Sequence, residues 1–310
     1  MSKLLGEYAI MPEVFETTSY GNTELERTLL GFLKRPLLET AIVRDLHGGD
    51  WINDLMGQES KRHLSMMGKE VLKKLIKNRR LFQDKIYHQE KPKSEEEWCD
   101  EAMQSAEQNE LSGIIVSDRI DQKYKEYPVI GSINNISGKN WWPTEPSVTI
   151  NRSIEDYKQQ LGPIFTHANS IMVIDSHIAP WVERYEAFFT FLDTTAKRKP
   201  LPEIEIHRLC YLKSDNKIPD DNIEKYYREK LSKRYINNGM RVKIFLWREV
   251  HDRYIISDLI GLLLGNGLDT EFKTTTTWAR LDRKNKDQVQ RQYDPAYTPQ
   301  KLYRKFEIPS

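Results

Sequence analysis

Apolar and polar positions follow two different periods along the C-terminal half of the chain, which predicts an α/β fold. Short apolar runs typical of buried strands alternate with segments whose apolar residues recur at helical spacing. The predicted strands are 170–175, 203–209 and 240–247, and the predicted helices are 153–161, 180–192 and 220–239. Because strands that alternate with helices tend to pair in parallel, we expect a mixed, largely parallel sheet flanked by helices.

The N-terminal half has a weaker pattern, and it predicts a mixed α+β domain over residues 1–145. The predicted helices are 22–34, 68–82 and 94–109, and the predicted strands are 40–43 and 112–117. Pro36 is expected to end the first helix. Ser94 and Glu97 form a capping box for the third.

A segment rich in proline and tryptophan predicts the domain boundary. Trp141 and Trp142 lie in it, and we expect them to pack at a domain seam rather than to stack on nucleic-acid bases. The second domain is accordingly placed at residues 150–310. Its polar residues beyond about 285 are expected to form an irregular tail packed on the domain.

Most of the candidate chemistry lies in one segment, 249–267, which predicts two short strands joined by a turn at Asp258. His251 and Arg253 are two residues apart, so on a strand both side chains would point to the same face. The apolar run that follows ends at Gly265-Asn266-Gly267, where glycines allow the backbone to approach a ligand closely.

This pattern, His-x-Arg-x4-Asp followed after six residues by Gly-Asn-Gly, resembles the signature of the phospholipase D superfamily, His-x-Lys-x4-Asp-x6-Gly-Ser. Arg253 stands where the family usually has lysine. The segment is most similar to the phospholipase-D-like C-terminal domain of MIT-domain proteins, which has His-Asp-Arg and a later Gly-x-Gly-Leu-Asp. Gly265–Asp269 matches that second element, and the resemblance covers about residues 150–285.

The resemblance implies phosphodiester chemistry without a metal or another cofactor. A neutral imidazole can attack phosphorus to form a phospho-histidine, while a cation neutralises the non-bridging oxygens and an acid protonates the leaving oxygen. His251 is the candidate nucleophile or acid, Arg253 the phosphate clamp, and Asp258 the carboxylate that orients its neighbours. Some members of the superfamily carry a degenerate motif and bind without cleaving, so a non-catalytic binding or scaffold subunit is the alternative.

Asp175 ends a predicted strand, and His177 follows two residues later. Strand ends of this kind carry ligand sites in α/β proteins, so the two residues could form an acid–imidazole unit near His251. Asp175 could equally cap the next helix. His207, in the middle of a strand, is expected to be a core or edge histidine.

A lysine-rich face of the helix predicted at 68–82 permits two interpretations. It is either solvated surface or a contact for nucleic-acid phosphates through Lys73, Lys77 and Arg80. The net charge of the whole chain is only +1 at pH 7, so no overall basic field indicates nucleic acid.

The remaining composition indicates the kind of cellular location to expect. Cys99 and Cys210 form no motif, which favours a reduced, cytoplasmic location, and no apolar run approaches the ~20 residues of a membrane helix. The other histidines lack zinc-ligand spacing. The resemblance implies a metal-independent phosphodiesterase, and the lysine-rich helix together with the lack of a membrane segment favours a nuclease.

The motif occurs once in the chain, whereas the resemblance implies an active site built from two copies. This predicts a homodimer that shares its active site. The resemblance alone also implies a component of a bacterial multi-gene antiviral defence system, with partner subunits.

Overall fold

The computed structural model describes residues 3–84, 90–143, 145–211, 218–235, 238–271 and 273–309. The chain divides into two compact units, Met1–Glu145 and Pro146–Ser310, here called the N-terminal and C-terminal units. Each contains one sheet flanked by helices, which confirms the mixed α/β class. Within the described ranges, no helix is both long and apolar enough to cross a bilayer.

The N-terminal unit is built on a five-stranded parallel sheet. Its strands are β1 (Gly6–Ile10), β2 (Ala41–Asp45), β3 (Leu81–Gln83), β4 (Gly113–Val116) and β5 (Ile130–Ser132), and its helices are α1 (Thr23–Glu39), α2 (Leu46–Met56), α3 (Met66–Lys77) and α4 (Glu95–Gln108). The strand order is β3-β2-β1-β4-β5. The chain therefore winds outward on one side of β1 and then on the other, as in doubly wound sheets.

Three of these helices begin at residues whose side chains accept a hydrogen bond from the first turn. Asn22 accepts from Leu25 N, and Ser94 accepts from Glu97 N at 3.2 Å, as the sequence predicts. Ser65 caps α3 in the same way.

Two predicted helix ends are wrong. Pro36 lies inside α1, which continues to Glu39 because Leu37 extends the buried apolar stripe beyond the proline. The helix predicted to reach residue 82 ends at Lys77, because Arg79 takes a left-handed φ of 53° and the chain turns into β3.

Trp141 and Trp142 pack within the N-terminal unit. Trp142 is 2% exposed, and Tyr8 donates a hydrogen bond from its hydroxyl to the Trp141 carbonyl. The Trp141 ring lies against Gly113 of β4, where any Cβ would overlap it. Trp142 is thus a core residue of this unit and Trp141 is only half-buried, while the predicted domain seam stays a prediction.

The C-terminal unit is built on an eight-stranded mixed sheet. Its strands are β6 (Ser147–Asn151), β7 (Ser170–Ile174), β8 (Glu203–Leu209), β9 (Val242–Trp247), β10 (Tyr254–Ser257), β11 (Gly261–Leu264), β12 (Thr275–Arg280) and β13 (Leu302–Ile308), and its helices are α5 (Ile154–His167), α6 (Glu186–Thr195), α7 (Ile223–Tyr235) and α8 (Arg283–Gln292). The order is β13-β9-β8-β7-β10-β11-β12-β6. β7, β8 and β9 are parallel, and the other pairs are antiparallel.

The structure corrects two expectations for this unit. The helix predicted at 180–192 begins only at Glu186, since Trp181 instead packs its ring against Tyr227 and the guanidinium of Arg208. The polar C-terminal segment is not irregular, because it forms α8 and then β13, which joins the sheet beside β9.

Candidate functional site

The ends of three strands bring the candidate residues of the C-terminal unit to one edge of its sheet. Tyr254, the first residue of β10, pairs with Ile174 at the end of β7 and with Leu263 near the end of β11. The residues that follow β7, precede β10 and follow β11 therefore lie together. This edge is the carboxyl end of the parallel strands, where α/β sheets place ligand sites.

Asp175 and Arg253 meet at this edge. The Nε of Arg253 lies 3.9 Å from the Oδ1 of Asp175. The side chain of Asp175 is fully buried, whereas that of Arg253 is 30% exposed. The carboxylate therefore lies beneath the guanidinium, and part of the cation faces solvent.

Gly267 makes this approach possible. Its φ is +86°, a left-handed conformation that favours glycine. A Cβ at this position would overlap Asp175 Oδ2 and lie 2.8 Å from the Cδ of Arg253. The predicted close approach of backbone at Gly267 is thus an approach to these two side chains.

Backbone and hydroxyl donors hold the carboxylate of Asp175 in place. Its Oδ1 accepts from His177 N at 2.9 Å and from the Tyr185 hydroxyl at 3.4 Å, and its Oδ2 accepts from Leu268 N at 3.3 Å. Burial raises the pKa of Asp175, against the opposing effect of these backbone bonds and of Arg253. Asp175 does not cap a helix, since a 3-10 turn begins only at Glu183 and α6 only at Glu186.

His177 lies in a field of positive charge. Its ring is half-buried, and burial lowers its pKa. The charges of Arg208, Arg253 and Arg184 lower that pKa further, while Asp175 opposes them. The imidazole of His177 is therefore held in its neutral form near pH 7.

The arginines around His177 differ in their burial and in their hydrogen-bond partners. Arg208 is buried and donates to the carbonyls of Ile178 and Tyr211, so it has a structural role. Arg184 has a side chain that is 56% exposed, with its Nε 3.5 Å from the carboxylate of Asp269. Arg184 and Arg253 are thus the cations of this cluster that reach solvent.

Asp269 links the cluster to the neighbouring strands. It is 6% exposed, and its Oδ2 pairs with Arg152 Nη2 at 2.8 Å. Its carbonyl accepts from the Tyr157 hydroxyl at 2.9 Å. Asp269 thereby fixes the loop that carries Gly267.

His251 lies on the loop between β9 and β10, at the same edge. Ser176 donates from its hydroxyl to the carbonyl of Val250 at 3.1 Å, so the loop after β7 and the loop before β10 lie side by side. The side chain of His251 is exposed, and neither it nor Arg253 lies on the strand itself. Among the described residues, no hydrogen bond or ion pair orients the imidazole of His251.

Asp258 does not join the other motif residues. It follows β10, whose last residue, Ser257, pairs with Ile171 at the beginning of β7. The carboxylate accepts from Asn169 N and Nδ2, both at 3.0 Å. Because β10 separates Asp258 from Arg253, the carboxylate tethers the hairpin turn at the opposite edge of the sheet.

Gly265 and Asn266 bind β12 instead of facing Asp175. Gly265 N donates to the Thr277 carbonyl at 3.0 Å, and Asn266 N donates to the Thr276 hydroxyl at 3.1 Å. The side chain of Asn266 is exposed. These two residues set the path of the loop, and Gly267 alone of the three contacts the Asp175–Arg253 pair.

Only part of the predicted lysine-rich face, which lies on α3 in the N-terminal unit, is exposed to solvent. Lys73 and Lys77 are exposed. Arg80, by contrast, is 5% exposed, and its Nη1 donates to the Ala41 carbonyl at 3.1 Å. The prediction that Arg80 contacts nucleic acid is therefore wrong, because the turn after α3 directs this side chain inward.

His207 is a core residue, as predicted. It is fully buried, its ring stacks on Phe245, and its Nδ1 accepts from Trp247 Nε1 at 3.0 Å. Within the described part of the chain, no group of three or more His, Cys, Asp or Glu residues is placed to hold a metal ion.

Two members of the cluster, Arg184 and Asp269, are hard to identify from the sequence. Arg184 falls in a segment whose apolar residues predict a helix, which hides its position beside the strand ends. Asp269 is the last residue of the Gly-Asn-Gly-Leu-Asp pattern, and that pattern is the signal that could have identified it.

Comparisons with known proteins add no family. No family model matches the chain, and no curated protein matches it. Among solved structures, the chain is similar to TrmBL2, an archaeal chromatin protein described as binding DNA in a novel mode, at 12% identity. The match covers 76% of this chain and 82% of that one with a TM-score of 0.32, which is too low to support an inference about fold or function.

Proposed function

We propose that the C-terminal unit binds a phosphate group of a polyanion, with nucleic acid as the leading ligand. The observation that carries the proposal is the position of Arg253. Its guanidinium is partly exposed at the carboxyl edge of the sheet, while the carboxylate that holds it is buried beneath. A guanidinium placed in this way can donate two parallel hydrogen bonds to phosphate oxygens.

The surrounding charges favour an anion over a cation. Arg184 adds a second exposed guanidinium, and His177 adds an imidazole whose pKa is lowered by the charges of both arginines. The acidic partners Asp175 and Asp269 are buried below the surface. A ligand that approaches this edge meets the guanidinium groups of Arg184 and Arg253 before the carboxylates of Asp175 and Asp269, with the exposed side chain of Asp252 beside Arg253.

A second candidate function, metal-independent cleavage of the phosphodiester, rests on the histidines. A nucleophilic or basic imidazole must be neutral, and burial lowers the pKa of His177 so that the neutral form dominates near pH 7. His251 lies on the adjoining loop and would supply the second imidazole. Cleavage would need His251 to be oriented by the bound substrate.

One experiment separates binding from cleavage. Purified protein is incubated with labelled single- and double-stranded DNA and RNA in EDTA, and binding and strand scission are measured in parallel. Binding that weakens as salt rises, without scission, supports the phosphate-binding function alone. Scission in EDTA that His177→Asn or His251→Ala removes supports the enzyme, and the absence of any binding at low salt contradicts both.

A further inference from the structure

The N-terminal unit contains a second cluster of polar groups, at the carboxyl edge of its parallel sheet. Helix α4 presents Glu95, Trp98 and Glu101 along one buried face, at successive turns. Glu95 accepts from the backbone N and the hydroxyl of Ser117, the first residue after β4, each at 2.6 Å. This face of α4, called here the α4 polar face, therefore borders the end of β4.

The residues that follow β1 and β2 reach the same place. His47 lies two residues after β2, where the first residues of α2 form a non-helical turn with a φ of 52° at His47. Its Nδ1 bonds to Glu101 Oε2 at 3.0 Å, and its ring packs edge-on against Trp98. Glu13 follows β1, and its charge raises the pKa of Glu95 in addition to the larger effect of burial. The loops after β1, β2 and β4 thus all meet the α4 polar face.

Three buried polar atoms at this place have no hydrogen-bond partner among the described residues. They are the acceptors Glu13 Oε2 and Glu101 Oε1 and the donor Trp98 Nε1. Glu13 is 7% exposed, Glu101 3% and Trp98 0%. Buried polar groups are nearly always paired, because an unpaired group loses its hydrogen bonds to water on burial without replacing them. Three such atoms at one strand edge therefore indicate a missing partner.

The position within the fold indicates what kind of partner this is. In doubly wound sheets of this order, ligands bind outside the carboxyl ends of the strands where the chain switches from one side of β1 to the other, here between β1 and β4. Nucleotides bound there rest their phosphates on a glycine-rich turn. The turn after β1 in this chain is Met11-Pro12-Glu13, which offers a buried carboxylate in place of glycine.

We propose that the N-terminal unit binds a nucleoside moiety at the α4 polar face, with no phosphate at the turn after β1. The two unpaired carboxylate oxygens accept hydrogen bonds from hydroxyl or amino groups, and the Trp98 indole N–H donates to an oxygen or ring nitrogen of the ligand. A phosphate in the same place would be repelled by the carboxylate of Glu101, whereas the charge of Glu13 is already balanced by its ion pair with Arg62. This proposal concerns the N-terminal unit alone and does not depend on the phosphate site proposed for the C-terminal unit.

The test titrates the full chain with adenosine, guanosine, cytidine and uridine, each beside its 5′-monophosphate, by calorimetry and thermal shift. We expect at least one nucleoside to bind with a Kd of about 1 mM or tighter, and its monophosphate to bind at least about tenfold more weakly. Glu101→Gln and Trp98→Phe should each weaken nucleoside binding by about tenfold or more. Glu107→Gln, an exposed position on the same helix, should leave it unchanged.

Two results would overturn this proposal. One is that none of the four nucleosides shifts the melting temperature or releases heat at millimolar concentration. The other is that the Trp98→Phe protein, which keeps an aromatic side chain but loses the N–H donor, binds a nucleoside as tightly as the wild type. The alternative is that ordered water alone pairs with the three buried atoms. If Glu101→Gln fails to fold, the Trp98→Phe protein still distinguishes a bound nucleoside from ordered water.

Discussion

The guanidinium of Arg253 lies 3.9 Å from the buried carboxylate of Asp175, and the backbone of Gly267 passes directly against both. Asp175 follows β7, Arg253 precedes β10, and Gly267 follows β11. The pair therefore holds together three loops that are distant in sequence. The proposed phosphate site depends on the part of the Arg253 side chain that is exposed to solvent.

The first prediction concerns Gly267. We expect Gly267→Ala to lower the free energy of unfolding by more than about 1 kcal/mol, because its φ is +86° and the new Cβ would overlap Asp175 Oδ2. Displacement of Arg253 should also weaken phosphate binding. Denaturant unfolding and equilibrium binding measure the two effects.

Gly31→Ala is the matched control for that substitution. Gly31 lies inside α1, is followed by Phe32 rather than proline, and a Cβ there meets no atom of another element within 4 Å. Alanine in a helix interior should therefore stabilise the protein by about 0.5–1 kcal/mol. Equal effects of the two substitutions would contradict the packing described around Gly267.

The second prediction concerns pH. Burial lowers the pKa of His177 below its ordinary 6.5, so between 6.5 and the lowered value the unfolded chain binds a proton that the folded chain does not. Stability from this residue is fully present above pH 6.5 and is lost as the pH falls through that window. His177→Asn should therefore show a smaller decline in unfolding free energy between pH 7.5 and 5.5 than the wild type.

His207 serves as the internal reference for that measurement. It is fully buried, burial also lowers its pKa, and it remains in both proteins. Some decline with falling pH should thus persist in the variant. An identical slope in the wild type and His177→Asn would show that His177 titrates as an ordinary surface histidine.

The third prediction concerns His251. Because its side chain is exposed, His251→Ala should leave the melting temperature nearly unchanged. Any phosphodiester cleavage should fall by several orders of magnitude, as expected when one member of a catalytic unit is removed. Cleavage that survives in this variant would rule out His251 as the nucleophile or acid.

The fourth prediction concerns oligomeric state. One copy of the motif predicts a two-fold homodimer joined through residues 150–285, in which each chain supplies one His251. Light scattering should then give about twice the chain mass of 36.6 kDa, and mixing with His251→Ala should suppress activity in mixed dimers. A monomer that cleaves substrate would instead favour His177 as the second imidazole.

How far the sequence predicts the fold depends on how strongly each element is patterned. The sequence predicts β8 with the bounds it has, because its apolar residues alternate and it lies between clear loop signals. It does not predict α8, because Val289 is the one residue that this helix buries and its pattern carries almost no apolar signal. Pro36 predicts a helix end that the structure does not have, because sequence alone does not show that Leu37 packs in the core.

The same reasoning applies to the candidate site. Spacing placed Arg253, Asp175 and Gly267 as candidates, and their shared location follows from strand ends that meet at one edge. Spacing could not show that Asp258 lies at the opposite edge, because that depends on the direction of β10. Nor could it show that Arg80 is buried, which depends on the turn after α3.

The measurement that tests the central claim most directly compares Arg253→Ala, Arg253→Lys and Arg283→Ala in binding to a labelled, 5′-phosphorylated oligonucleotide. Arg283 is an exposed arginine of α8 and serves as the charge-matched control. Charge-assisted hydrogen bonds contribute about 1.5–3 kcal/mol, so Arg253→Ala should weaken binding by roughly 10- to 150-fold. Arg253→Lys keeps the charge but not the two parallel hydrogen bonds, so it should lose less affinity than Arg253→Ala, and Arg283→Ala should retain nearly all of the affinity. Wild-type affinity in Arg253→Ala, or an equal loss in Arg283→Ala, would contradict a phosphate site at Arg253.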